Sequence, residues 1–324
     1  MEAETIKAEM AINRSSVWKR FKKQRSAHFF VWIGLMYLFV FAYTPMFGIL
    51  MAFKDYSIVT GIKGIFTSEW VGFRYFIEFY NEYKFYNIVR NTLALSFLKV
   101  VFTFPVPILF AIMLNEVKHL PFKRVVQTVS YLPHFISWVV VLGLAFTFFS
   151  SHVGLVNQVL LAWGWIEDPL PILTGSSYFW GLAVGSAMWK EAGWWAIIFL
   201  AAMAGINPAL YEAAQIDGAG RLARIWHITL PGIKGTVVVV LILTIGSILG
   251  GGLVGSNFEQ AYLMGNANNN DTSEIVQTYA FKVGLAQGRY SYAAAIDLVQ
   301  SIISVILIFS SNYIAKRFSG SGLF

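Results

Sequence analysis

The chain has 324 residues, of which 57% are hydrophobic and only 13% charged, whereas a soluble domain carries about a quarter charged residues. Most of its surface must face lipid, and the net charge of +7 collects beside apolar runs rather than in a nucleic-acid-binding patch. The absence of cysteine excludes a disulfide framework, thiolate metal sites and a cysteine nucleophile.

In chain order, a basic leader at 1–27 comes first, with Arg14, Lys19, Arg20, Lys22, Lys23 and Arg25 ahead of the first apolar run. Val17 to Phe30 mixes five of these with Trp18, Phe21, Phe29 and Phe30, which suits a helix lying at the membrane interface or, equally, a solvated tail. The first run is too long for a signal-peptide core and ends on Lys54 and Asp55, so it reads as a retained anchor. Six spans are predicted, at 28–53, 89–114, 131–150, 178–205, 233–255 and 292–315, each near the roughly 20 residues that cross a bilayer. Together 28–318 form one helical membrane domain, followed by a short tail at 319–324. Backbone groups cannot stay unpaired in hydrocarbon, so Pro45, Pro105, Pro107 and Pro133 are expected to kink these helices without ending them.

Lys118, Lys123 and Arg124 lie between spans two and three, Arg221 and Arg224 between four and five, and Lys316 and Arg317 after six. With the basic leader, they put both termini and the even loops in the cytoplasm by the positive-inside rule. Loop 151–177 has no Lys or Arg, whereas loop 54–88 holds Lys54, Lys63, Arg74 and Lys84 and weighs mildly against this orientation.

The loop between spans four and five has its own grammar. Asn207 is an N-cap residue and Pro208 a first helical residue. Gly218 suits the left-handed conformation that ends a helix. A short helix followed by a second one running toward Pro231 would form a protruding helix-turn-helix, in which Ala213 and Ala214 let another protein approach closely.

Glu212-Ala213-Ala214, three residues, Gly218, nine residues, then Ile228-x-Leu230-Pro231 resembles the signature EAA loop of permeases in bacterial ATP-binding-cassette (ABC) importers. The resemblance extends to Tyr43 to Gly48, Leu114-Asn115-Glu116, Tyr131 to Phe135, Trp189-Lys190-Glu191 and Thr278-Tyr279, and points to the branch that handles oligosaccharides from complex polysaccharides. It implies an all-α fold of six transmembrane helices, the MetI-like architecture of type I importers, in the bacterial inner membrane. It further implies that loop 207–231 docks an ATPase, with Glu212, Ala213, Ala214, Asp217 and Gly218 on the coupling helix. The implied partners are a second homologous permease, two ATPase subunits carrying ATP and Mg, and a periplasmic solute-binding protein. The implied cargo is an oligosaccharide, with an anionic alginate fragment among the candidates. No Walker-type phosphate loop occurs, so ATP chemistry would belong to separate subunits.

Within the spans, charged and polar residues are the pathway candidates. Lys99 lies about ten residues into span two, where it could attract an anionic sugar, form a structural pair or snorkel. Lys190 and Glu191 are about 100° apart on span four, so they are not expected simply to neutralise each other. Asp297 and Gln300 share a face of span six and could bond sugar hydroxyls or meet Lys99; a carboxylate there disfavours a uronate. Asn257 and Glu259 follow a run from Gly246 to Gly255 that fits close helix packing or local unwinding. Trp189, Trp194 and Trp195 share a segment with Lys190. Asn268 to Glu274 lacks the glycine and spacing of an EF-hand, and His28, His119, His134, His152 and His227 are scattered, so no metal site is expected. The alternatives are an ABC permease for a non-sugar substrate, or a channel, secondary transporter or intramembrane enzyme without ATPase partners.

Overall fold

The structure, a computed structural model, describes residues 24–250, 256–320 and 322. Most of the basic leader and Gly251 to Gly255 lie outside the described residues. The described chain is helical and contains no strand. The first apolar run forms α1, Ser26–Phe53, and the second α2, Phe85–Glu116. The third is an elbow, in which α3, Leu120–Phe135, meets α4, Trp138–Phe149, at 104°. The long α5, Ser176–Ala204, turns by 72° into α6, Pro208–Ile216. Then come α7, Arg221–Gly246, α8, Asn257–Met264, α9, Val276–Phe281, and α10, Tyr290–Ser319. Four of these helices are long and apolar enough to cross a membrane, and each bent pair adds one more, giving six.

Two predicted boundaries move. In the third span, helix already runs from Leu120, behind a His119 cap whose Nδ1 accepts the Phe122 N–H at 3.2 Å, and the apolar run beyond the elbow is α4, from Trp138. The fifth begins at Arg221, so the expected second short helix of the 207–231 loop is the first part of α7 itself. Hydropathy misses both starts because these turns are amphipathic or basic.

The prolines act in two ways. Pro45, Pro105 and Pro231 are each preceded by a π-helical turn, at Phe39–Tyr43, Lys99–Thr103 and Ile225–Thr229. Proline offers no N–H and crowds the carbonyl of the preceding turn. Widening that turn lets the residue before it donate one position further back, as Phe104 N does to Lys99 O at 3.1 Å. The helix therefore continues through all three. Pro133 behaves differently: the chain passes through a 3₁₀ turn, Leu132–Phe135, and Ile136 is extended, so the expected kink is instead a break. Ser137 restarts the helix as an N-cap, accepting the Val140 N–H.

Lipid is as apolar as a leucine side chain, so close approach rather than hydrophobic burial holds membrane helices together. A Cβ on Gly193 of α5 would lie 2.0 Å from the Ser130 carbonyl oxygen of α3. One on Gly246 would lie 2.1 Å from Ile308 Cγ1, which seats the end of α7 against α10. The glycine run that starts at Gly246 thus begins as a packing surface, then unwinds through a 3₁₀ turn at Ile248–Gly250. Phe199, Ile233 and Ala111 fill the core shared by α2, α5 and α7.

At the end remote from α6, the loops interlock. Glu274 is 6% exposed and accepts from Lys84 at 3.1 Å and Lys282 at 2.9 Å. Burial alone would push its carboxyl up, but the hydrogen bonds and charges of Lys282 and Lys84 outweigh it and hold the carboxyl below its usual range. Lys84 is held above its usual value: desolvation works against the charge, and the bond to Glu274 overcomes it. Asn91 of α2 donates to the carbonyls of Asp271 and Glu274, and Trp180 of α5 to that of Thr272. Arg289 pairs with Glu78. Lys84, one of the bases that complicate a charge count of loop 54–88, is therefore engaged within this cap.

Candidate functional site

The protruding loop is built from its caps outward. Asn207 Oδ1 accepts the Ala209 N–H at 3.0 Å, and Pro208 occupies the first helical position, where an N–H would have no partner. The other end closes as a Schellman motif: Gly218 has φ +77°, its N–H donates to Gln215 O, and Ala219 N donates to Ala214 O at 2.8 Å. Tyr211 Oη lies 3.0 Å from Thr229 Oγ1, tying α6 to the start of α7. Glu212, Ala213, Asp217 and Gly218 are exposed and Ala214 is half-buried. Four large apolar side chains also stand out here, Leu210 at 53% exposure, Ile216 at 86%, Leu222 at 72% and Trp226 at 66%. Together these side chains form an exposed apolar patch beside the Glu212 carboxylate.

Within the spans, Glu191 of α5 is a hub. Its carboxylate lies 2.7 Å from His134 Nδ1 and 3.6 Å from Lys190 Nζ, and it interacts electrostatically with Lys99. Lys99 is fully buried in the π turn of α2. Contrary to the expectation from their 100° separation, Lys190 and Glu191 do pair, because both side chains are long enough to curl toward the α3–α4 elbow. Lys190 also donates to the His134 carbonyl and lies 5.6 Å from the Trp138 ring centre. That carbonyl is free of the helical ladder because α3 stops there, and a buried carbonyl without a partner would be costly. Trp194 stacks on the His134 ring at 4.5 Å with an interplanar angle of 2°.

This cluster borders a cavity of about 410 Å³, lined also by Ser256, Glu259 and Trp195. The Trp195 Nε1–H is buried without a hydrogen-bond partner among the described residues. Trp189 belongs to a different, apolar groove between α4 and α5. The cavity offers a donor, carboxylates and aromatic faces together, a set suited to hydroxyl-rich ligands. Sequence reasoning passes over His134, since one histidine near a proline looks unremarkable until the break beyond Pro133 turns it toward α5.

The remaining candidates lie elsewhere. Asn257 is fully buried, and its amide donates to Ile248 O at 2.9 Å and Ser96 Oγ at 3.3 Å, pinning the unwound end of α7 to α2. Asp297 is exposed on α10, in a second cavity with Gln277. No ion pair joins it to Lys99 among the described residues. Gln300 is half-buried, and its Oε1 has no partner among the described residues.

Comparison with known proteins agrees with this geometry. The family described as binding-protein-dependent transport system inner membrane component matches residues 103–320. Protein LplB of Bacillus subtilis (strain 168) is 45% identical over 291 residues, covering 90% of this chain and 88% of that protein. The polygalacturonan/rhamnogalacturonan transport system permease protein YteP of the same organism is 42% identical over 302 residues, 93% and 91% of the two chains. The fold superposes on a chain of a bacterial ABC transporter involved in the import of the acidic polysaccharide alginate, with a TM-score of 0.84, 36% identity and coverage of 94% and 99%. A chain of the bacterial alginate ABC transporter in complex with alginate pentasaccharide-bound periplasmic protein gives 0.83 at 36% identity. Matches of this extent set aside a channel, secondary transporter or intramembrane enzyme: the chain belongs to the family of inner membrane components of binding-protein-dependent transport systems, as a permease subunit of an ABC importer.

Proposed function

We propose that this chain forms half of the translocation pathway of an oligosaccharide importer of the bacterial inner membrane and that α6 is its coupling helix. The observation that carries this reading is α6 itself, capped at both ends and presenting Glu212 among exposed Leu210, Ile216 and Trp226. A second homologous permease completes the pathway, and two ATPase subunits hold ATP and Mg. A periplasmic binding protein delivers the sugar to the end remote from α6, and both termini are cytoplasmic. The cargo class rests on the relatives, whose names include polygalacturonan/rhamnogalacturonan, arabinooligosaccharides and alginate.

The described contacts suggest how force travels. Closure of the ATPase pair displaces α6, which is joined to α5 by a short turn and to α7 by the Tyr211–Thr229 bond. Movement of α5 carries Lys190 and Glu191, and with them the grip on the α3–α4 elbow at His134. Such a linkage shifts the balance between inward- and outward-facing states only through contacts that differ between them. The test is Glu212→Ala in the reconstituted complex. Binding-protein-stimulated ATP hydrolysis falls while the binding protein's affinity for sugar stays unchanged; undiminished stimulation combined with full ATPase copurification overturns the assignment of α6.

A further inference from the structure

The cavity around Asp297 is separate from the one bordered by Glu191. It has a volume of about 400 Å³ and lies between α8, α9 and α10, with Met51 of α1 also in its lining. Asp297 is seven residues beyond Tyr290 on α10, about 10 Å along the helix at 1.5 Å per residue. An exposed carboxylate at that depth is too costly to face lipid, so water, ligand or protein must meet it.

Its surroundings are hollow rather than ridged. Ala280, Gly284, Ala293 and Ala294 contribute only small side chains to the lining. A Cβ on Gly284 would come within 2.9 Å of Ala293, so no larger residue fits there without movement. Gln277 opens onto the same space, and its Oε1 is buried without a partner among the described residues. Phe258 and Phe281, with ring centres 5.2 Å apart, form an aromatic wall, and Tyr290 also lines the cavity. Among the described residues, no Lys, Arg or His lines the cavity. Nearby Lys282 and Arg289 are committed to Glu274 and Glu78.

A carboxylate and an amide oxygen accept hydrogen bonds, and aromatic faces pack on the C–H faces of sugar rings. With no cation lining this space, a second carboxylate entering it meets repulsion. We infer that the Asp297 cavity is a hydroxyl-selecting subsite, which receives an uncharged sugar unit and disfavours a uronate. The inference rests on the oligosaccharide-import reading, and it separates that reading from the acidic cargo named for some relatives.

The test compares the complete importer in proteoliposomes carrying wild-type chain, Asp297→Asn or Gln277→Leu. The internal readout is the ratio of uptake of a neutral arabino-oligosaccharide to that of an oligogalacturonide of equal length. The same binding protein serves every variant, so its own preference cancels when variants are compared, as do losses in expression or assembly. Two unit charges about 6 Å apart in a partly hydrated site repel by roughly 1–2 kcal/mol, so Asp297→Asn should lower the neutral-to-acidic ratio about tenfold. Gln277→Leu should reduce neutral uptake without raising acidic uptake. An unchanged ratio in Asp297→Asn overturns the inference, whether uptake persists or both sugars fall together, the latter being the mark of an ion pair with the second permease. If wild-type vesicles take up neither sugar, the oligosaccharide reading fails first and takes the subsite with it.

Discussion

His134 Nδ1 lies 2.7 Å from Glu191 Oε2, so the elbow between α3 and α4 is fastened to α5 by a partly buried polar contact rather than by apolar packing alone. Glu191 also pairs with Lys190 at 3.6 Å, both side chains being buried. Removing one partner of a buried pair typically costs about 3–5 kcal/mol, because the remaining charge is left uncompensated. Glu191→Leu should therefore lower the unfolding temperature of the purified protein substantially. Lys190→Met combined with Glu191→Leu should recover part of that loss. Thermal unfolding of the two single variants and the double variant forms a mutant cycle, and simple additivity of the losses would show that the two side chains do not act as a unit.

Gly193 permits the same elbow to seat. An alanine Cβ would meet the Ser130 carbonyl carbon and oxygen, which belong to backbone and cannot swing aside. Gly185 on the same helix has nothing within 4 Å of the point where a Cβ would stand and is the control. Overpacking of this kind costs about 1–3 kcal/mol. Gly193→Ala should lower thermal stability and transport together, while Gly185→Ala leaves stability within about 0.5 kcal/mol of wild type. Equal melting temperatures for the two variants would show that α5 and α3 can separate without penalty.

Much of the fold is legible in the sequence because lipid imposes a simple rule: long apolar stretches must be helices. The six-span pattern and the short helix Asn207 to Gly218 follow from hydropathy and capping residues. The α3–α4 elbow does not, since Pro133 resembles Pro45 and Pro105, and only three-dimensional packing decides whether a helix widens into a π turn or stops. The pairing of Lys190 with Glu191 is hidden for a related reason. Helical spacing gives the direction of a Cβ but not the reach of a long side chain toward a third residue, here His134. Asn257 stands out as polar in an apolar context, yet its partners are Ser96, remote in sequence, and the Ile248 carbonyl, nine residues back.

The Glu274 cluster predicts a pH dependence. Its carboxyl is held low, so its contribution to stability is fully present above the unfolded-state pKa of about 4.3 and is lost as pH falls through the lower folded value. Lys84 is held high, so its contribution is present below about 10.4 and is lost as pH rises beyond its folded value. The cap should thus be most stable between these limits. Glu274→Gln should cost about 1–3 kcal/mol near neutrality and flatten the acid limb. Melting temperatures recorded from about pH 3.5 to 7, a range that spans the unfolded-state carboxylate value and reaches into the acid limb below it, check this, and an acid limb identical to wild type would assign the loss to other carboxylates.

Gly218 tests whether the shape of α6, rather than its charge alone, matters for coupling. Its φ of +77° places it in the left-handed region, and a Cβ there meets nothing within 4 Å. Substitution therefore strains the backbone without creating a clash. Alanine pays roughly 1 kcal/mol for this conformation, whereas asparagine adopts it more readily. Relief of that strain would unwind the Ala219 to Ala214 bond and redirect the chain into Arg221, changing the angle at which α6 is presented. Binding-protein-stimulated ATP hydrolysis should accordingly fall in the order wild type, Gly218→Asn, Gly218→Ala, and fall furthest for Gly218→Val, whose branched Cβ is poorly accommodated at positive φ. The order matters more than the size of any single loss, because a surface that needed only Glu212 would give the same stimulated rate for all three.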